Sequence, residues 1–116
     1  MFEFYKPFKD GTISLKCIQL GEDYQIIISG GGEHIGATAL AVCYDKKMSK
    51  VNVSQLAVYG HKEDELVRKV ALYVSKELRA TVSVTAGIHF DNLSVIEIDE
   101  ILSIVDLMVL ELMEEI

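Results

Sequence analysis

The chain has 116 residues, half of them hydrophobic, and a single proline. This length fits one domain, residues 1–116, that buries about two thirds of its unfolded surface. The formal net charge of -7 disfavours binding to nucleic acid or anionic membranes, because both depend on clustered lysine and arginine. No signal-peptide pattern opens the sequence, and acidic residues interrupt the most apolar stretch, 98–113. We therefore expect a soluble, cytoplasmic protein.

After an aromatic amino-terminal stretch, hydrophobic periodicity predicts five strands and two helices in the order strand, strand, strand, strand, helix, strand, helix. Alternating or continuous apolar runs place the strands at 13–18, 24–28, 37–44, 51–59 and 81–86. Helical spacing of apolar residues predicts the first helix at 62–78, with acidic residues at its positive amino end. Ser94 and Glu97 form a capping-box pattern that begins the second helix, 94–116.

This order indicates an α+β fold: a two-layer sandwich in which a mixed, mainly antiparallel sheet carries two helices on one face. If strands two, three and four form successive hairpins, strand four runs parallel to strand two. A right-handed helical crossover then makes strand five parallel to strand four. The carboxyl ends of strands two, four and five consequently share one edge of the sheet.

Each of the three histidines lies in a polar, glycine-containing break that follows one of these carboxyl ends. His34 follows strand two, His61 follows strand four, and His89 follows strand five. Ligands of such sheets bind beyond the carboxyl ends of the strands. We therefore expect the three imidazoles to share one surface region.

The chemistry of these breaks is open to more than one interpretation. The glycine run 30–32, with Gly36 beyond it, allows backbone amides to approach an anion or a flat ring, or simply shapes a wide loop. The run has no Walker lysine and does not match GxGxxG. His61 can orient a ligand or make a hydrogen bond that begins the helix. Asp91 can orient His89, or it can belong to a turn leading into Ser94.

The alternative function is a small metal-dependent enzyme that uses a site of three histidines. Three neutral imidazoles, His34, His61 and His89, can hold zinc or another divalent transition metal, with Glu33, Glu63 or Asp91 as a further ligand or outer-shell group. No two of them have the spacing that would place both on one helix face. The cysteines, Cys17 and Cys43, lie in apolar strands without CxxC spacing, which favours buried reduced thiols over a disulfide, a metal site or a nucleophile.

The phrases SGGGEHIGA, GHKEDELV and AGIHFDN, in this order and spacing, resemble the small prenylated-flavin chaperone family typified by the D subunit of gallate decarboxylase, the LpdD-like proteins. The similarity covers roughly residues 24–100. It implies a non-catalytic accessory protein that binds or delivers FMN or prenylated FMN, the cofactor of UbiD-type decarboxylases. It assigns these residues to a common cofactor-binding surface: Gly30, Gly31, Gly32, His34, Gly36, Gly60, His61, Glu63, Gly87, His89, Asp91 and Asn92.

A flavin ring requires an apolar slot in the protein. Tyr59, Phe90 or an amino-terminal aromatic residue can line such a slot, although such side chains are also ordinary core residues. None of the three phrases contains an arginine to bind the phosphate tightly. Weak, reversible binding suits a carrier better than an enzyme.

The second helix predicts assembly, because it is apolar on more than one face. One stripe can cover the sheet, comprising Ile98, Ile101, Leu102, Val105, Val109 and Leu112. Ile96, Ile104, Leu107, Met108 and Leu110 occupy much of the remaining circumference. We expect a homo-oligomer, most simply a twofold dimer with helix 94–116 in the interface. The alternative is a structural subunit that docks on a decarboxylase through this helix.

Overall fold

The computed structural model describes residues 1–59 and 63–116. The elements are, in chain order, β1 (Phe2–Phe8), β2 (Gly11–Leu20), β3 (Asp23–Gly31), β4 (Ala37–Asp45), β5 (Lys50–Ala57), α1 (Asp64–Leu78), β6 (Val82–His89) and α2 (Val95–Glu115). The five predicted strands correspond to β2 to β6. The aromatic amino-terminal stretch forms an additional edge strand, β1, that pairs with β2.

The strands form one six-stranded sheet in the order β1-β2-β3-β6-β4-β5. Only the β3–β6 pair is parallel, and the other four neighbouring pairs are antiparallel. Helix α1 packs over β4, β5 and β6, and α2 packs over β1 and β2. Both helices cover the same face, so the predicted two-layer α+β sandwich is confirmed.

The predicted hairpin between strands two and three is wrong. Strand β6 is inserted between β3 and β4, and the loop 32–36 crosses over its end. The core-facing residues of β6 are completely buried, and a strand so apolar is accommodated at the centre of the sheet rather than at its edge. The inferred strand directions nevertheless hold. Because β5 and β6 both run antiparallel to β4, the carboxyl ends of β3, β5 and β6 share one sheet edge.

The core lies between the sheet and the helices. Cys17, Ile26, Val84 and Ala39 stand side by side on four neighbouring strands, and all are fully buried. Small alanines on β4 allow α1 to approach closely, with Val67, Val70, Ala71 and Val74 buried against the sheet. Large residues of β1 and β2 pack under α2.

Helix α2 is rotated slightly relative to the predicted stripe. Met108, expected on the outer circumference, is fully buried, whereas Ile98 and Leu102 are exposed. The inward face is therefore Ile101, Val105, Met108, Val109 and Leu112. The predicted capping box is confirmed: the Glu97 amide donates to Ser94 Oγ (3.1 Å), and the Ser94 amide donates to Glu97 Oε1 (3.0 Å).

Both cysteines are free thiols. Cys17 is completely buried, and desolvation raises the pKa of its thiol to about 11, so it is a poor nucleophile at neutral pH. Cys43 is half-buried. Within the described ranges, neither helix has the length and apolar character needed to cross a membrane.

Candidate functional site

Two of the three histidines meet at the carboxyl ends of β3 and β6. The ring centroids of His34 and His89 are 6.5 Å apart, with ring planes at 74°. His34 belongs to the loop that crosses the end of β6, and His89 is the last residue of β6. The predicted convergence is confirmed for this pair. Gly60 and His61 lie outside the described residues. We call the surface formed by His34, Glu63, His89 and Asp91 the histidine edge.

Glycines bring the crossing loop close to the sheet. A Cβ at Gly87 would overlap the carbonyl group of His34, so only glycine lets the loop lie directly on β6. A Cβ at Gly36 would overlap the Glu63 carboxylate in the same way. Backbone hydrogen bonds fix the position of the loop: Gly36 N donates to Ala86 O, and Gly32 N donates to His89 O, both at 2.9 Å.

The glycine run also makes contacts within the chain. Gly30 is buried against the backbone of β2, and Gly31 abuts the carbonyl of His89. A Cβ added to Gly32 would lie at ordinary van der Waals distance from the His89 ring. These glycines fix the loop against β2 and β6, which favours the interpretation of the run as a shaped loop over that of an open phosphate cradle.

The His34 imidazole is held between two oxygen atoms. Its Nδ1 lies 3.0 Å from the carbonyl oxygen of Gly32, and its Nε2 lies 3.2 Å from Glu63 Oε1. Carbonyl and carboxylate oxygens are both hydrogen-bond acceptors. The contact between His34 and Glu63 is shielded from solvent, because the Glu63 side chain is only 12% exposed.

Glu63 retains hydrogen-bonding capacity. Its Oε1 accepts from the backbone amide of Ile88 at 3.4 Å. Its Oε2 is buried and has no hydrogen-bond partner among the described residues. Glu63 also occupies the N-cap position of α1, where the helix dipole favours a carboxylate. A buried oxygen of this kind is suited to an N–H or O–H donor from a ligand.

His89 is the accessible member of the pair. Its side chain is 61% exposed, and its Nε2 lies 3.1 Å from Asp91 Oδ1. The next polar residue, Asn92, has a positive φ of 55° and turns the chain toward Ser94. Asp91 therefore orients an imidazole, as one interpretation predicts, while Asn92 serves the turn that begins α2.

The aromatic residues considered for a flavin slot are elsewhere. Phe90 packs edge-on against Phe8 with ring centroids 5.0 Å apart, in contact with the core. Tyr59 is fully exposed. A more suitable aromatic side chain is Tyr5 on β1, which is half-exposed and borders a depression of about 400 Å³ on the uncovered sheet face.

This depression adjoins the crossing loop through Gly31 and Glu33, and Thr12, Ser14 and Lys16 form its floor and side. Ser29 lies at the same place, where its hydroxyl donates to Glu33 and exchanges a hydrogen bond with Ser14 (3.1 Å). Sequence reasoning missed these β1 and β2 residues, because they precede the histidine phrases in the chain. Their only sequence signal is the polar half of an alternating strand.

The described residues contain no group of three histidine, cysteine, aspartate or glutamate side chains arranged to hold a metal ion. The metal alternative named His34, His61 and His89, and His61 is not among the described residues. The site that is described offers a histidine–carboxylate contact, an accessible imidazole and a buried carboxylate oxygen. Groups of these kinds are suited to polar ligands.

The fold and the histidine edge define a small α+β domain with a cluster of polar side chains at one edge of its sheet. The chain belongs to the family described as having a prenylated flavin chaperone LpdD-like domain, whose model matches residues 8–116. That match is wider than the phrases that carry the resemblance. No curated protein matches the sequence.

A solved structure with the same fold is a chaperone complex for yeast 20S proteasome assembly. The two chains are 10% identical, with a TM-score of 0.58 over 98% of this chain and 95% of that chain. At this level of identity the likeness concerns the fold alone.

Proposed function

We propose that the protein is a non-catalytic carrier that binds FMN or prenylated FMN reversibly at the histidine edge and the adjoining depression, and delivers it to a UbiD-type decarboxylase. Membership of the prenylated flavin chaperone family supports a flavin as the ligand. The observation that carries the proposal is the meeting of His34, Glu63 and His89 at one sheet edge, beside a depression that contains a lysine and a tyrosine.

The chemistry of these residues fits a flavin nucleotide. A flavin presents N–H and hydroxyl donors along its ring edge and ribityl chain, and Glu63 Oε2 is a buried acceptor without a partner in the described residues. Its phosphate requires donors or positive charge, which Lys16 and the accessible His89 supply. The exposed ring of Tyr5 is available to an aromatic ring system.

Several features favour a carrier role rather than a catalytic one. The acids around the site, Glu33, Glu63 and Asp91, oppose tight phosphate binding, which suits a protein that must release its ligand. The Cys17 thiol is buried and protonated at neutral pH. His34 is engaged on both ring nitrogens by the protein itself.

Titration of the purified protein with FMN and with prenylated FMN, followed by flavin fluorescence and calorimetry, tests binding. We expect reversible, non-covalent binding of at least one form. Lys16→Ala and His89→Ala should each weaken it by about tenfold, the effect of losing one charge-assisted hydrogen bond. The matched control is Lys46→Ala, because Lys46 pairs with Glu22 at the opposite end of the sheet. A folded protein that binds neither form at millimolar concentration would refute the proposal.

Delivery is tested separately, with a UbiD-type decarboxylase freed of its cofactor. The loaded protein should restore decarboxylase activity faster than an equal concentration of free prenylated FMN. The exposed side chains Leu107 and Leu110 on α2 form a candidate docking surface for the enzyme. Leu107→Glu should slow transfer without changing flavin affinity. Equal rates of decarboxylase reactivation with and without the protein would refute delivery but would not contradict flavin binding.

A further inference from the structure

The sheet has one face that no helix of this chain covers. Outward-facing residues of neighbouring strands form continuous rows across it, and one row runs Glu3, Lys16, Ile27, Thr85, Thr38 and Leu56. The next row contains Ile18, Gln25, Ser83, Leu40 and Ser54. We call these two rows the open sheet face. Leu40 is 43% exposed and Leu56 is 81% exposed.

This face is nearly uncharged. Its rows contain one acid and one base, Glu3 and Lys16, which are directly paired on neighbouring strands. The whole chain carries a net charge of -7, so the excess negative charge lies on other surfaces. Depletion of charge at the centre of a surface is characteristic of the core of a protein interface.

Two threonines of the face are paired with each other, and so are two serines beside it. Thr38 Oγ1 and Thr85 Oγ1 are 3.0 Å apart at the centre of one row, and Ser14 Oγ and Ser29 Oγ are 3.1 Å apart just beyond it. A hydroxyl that is hydrogen-bonded within the sheet loses little when water is removed from its surroundings. Covering these side chains is therefore less costly than covering free hydroxyl groups.

The whole uncovered side of the sheet, which includes the open sheet face, approaches the size of a stable dimer interface. Six strands spaced about 4.8 Å apart, each contributing about seven residues at about 3.3 Å per residue, span a flat area of roughly 550 Å². The solvent-accessible area exceeds this flat value, because side chains make the surface uneven. A standard interface buries about 800 Å² on each partner. Two such faces pack in the manner of a β-sandwich.

We propose that the open sheet face is the surface on which a second copy of this chain packs, giving a twofold dimer with the two sheets inside and the helices outside. A twofold interface requires a surface complementary to itself, and a face with one acid and one base has no net charge to repel its copy. Lys16 belongs both to this face and to the depression of the proposed flavin site, so dimerisation and flavin binding are measured separately.

Helix α2, the interface predicted from the sequence, is less suited to a second copy. It contains no lysine or arginine, and Asp99, Glu100, Glu114 and Glu115 are exposed among its outer apolar residues. Two α2 helices packed together would bring like charges close to one another, which disfavours association. An acidic, apolar surface is better suited to a partner that carries basic residues.

Sedimentation of the full chain at micromolar concentration tests the inference. The wild-type protein should have twice the monomer mass of 12.9 kDa. Leu40→Glu and Ile27→Glu should weaken dimerisation by roughly a hundredfold, because each places an unpaired carboxylate in the interface. The matched control is Leu107→Glu, the same substitution at an exposed leucine of α2, which should leave the mass doubled. Circular dichroism checks that each variant is folded.

A charge-reversal pair tests the self-complementarity of the face. Lys16→Glu leaves the face with two acids and should weaken the dimer, whereas the double variant Glu3→Lys with Lys16→Glu restores neutrality and should recover it. A monomer at every accessible concentration would overturn the inference. So would a dimer that persists in folded Leu40→Glu and Ile27→Glu, or one that Leu107→Glu alone dissociates. Flavin titration of the monomeric variants keeps this result separate from the proposed cofactor function.

Discussion

The two ends of the sheet are both polar, but their polar groups are used differently. At the far end, polar groups pair with one another: Lys46 donates to Glu22 (2.7 Å), Thr81 N to Asp23 (3.0 Å), and the buried Ser75 of α1 to the carbonyl of Ala80 (2.6 Å). At the histidine edge, Glu63 keeps an oxygen with no partner in the described part of the chain, and His89 faces solvent. The far end uses its polar groups within the fold, and the histidine edge leaves part of its hydrogen-bonding capacity unused within the described residues.

The largest expected difference in stability is between alanine substitutions at two glycines, one at each end of the sheet. Gly87→Ala forces the new methyl group into the backbone of the crossing loop, whereas Gly21 has a positive φ of 65° and a Cβ added to it would meet no atom within 4 Å. We expect Gly87→Ala to lower the free energy of unfolding by about 3 kcal/mol, as overpacking against backbone does. Gly21→Ala should cost only about 1 kcal/mol, from the strained φ alone. Urea denaturation measures both, and equal losses would contradict the difference between the two ends.

The second comparison separates stability from binding. Ser75→Ala removes a buried hydroxyl that donates to a backbone carbonyl at the far end, so it should cost about 1–2 kcal/mol of stability and leave flavin affinity unchanged. His89→Ala removes an exposed side chain paired with exposed Asp91, so it should change stability by less than about 0.5 kcal/mol. Its effect should appear in flavin titration instead. A His89→Ala variant as destabilised as Ser75→Ala would assign His89 a structural role.

How much of this arrangement was predictable from the sequence depends on the range of the interactions involved. The capping box at Ser94 follows from a local pattern and is confirmed. The shared direction of the strands before His34 and His89 is also confirmed, although one of the hairpins from which it was inferred is wrong. The insertion of β6 between β3 and β4 is a long-range choice among pairings that periodicity does not distinguish. Lys16 and Tyr5 reach the site only through strand register, which no motif records. The burial of Met108 depends on a rotation of α2 by a fraction of a turn.

The smallest expected effect is the pH dependence of the stability that one carboxylate at each end of the sheet contributes. The amide of Ser94, together with Lys9, holds the pKa of Glu97 below its ordinary value of 4.5, and Lys46 does the same for the pKa of Glu22. A carboxyl whose pKa is lower in the folded state contributes stability above its unfolded pKa and loses that contribution as the pH falls through the folded value. Both carboxylates should therefore stabilise the fold at neutral pH and cease to do so in acid.

Substitution by glutamine isolates this charge, because Glu97→Gln keeps a capping-box acceptor but removes the carboxylate. The difference in unfolding free energy between wild type and Glu97→Gln should be present at pH 7 and shrink as the pH falls toward about 3. Glu22→Gln should show the same trend with a smaller amplitude, because Glu22 pairs with one exposed lysine side chain and Glu97 is held by the helix backbone as well. Urea denaturation at both pH values measures the trend. A difference for Glu97→Gln that persists unchanged in acid would show that its charge does not contribute to the cap.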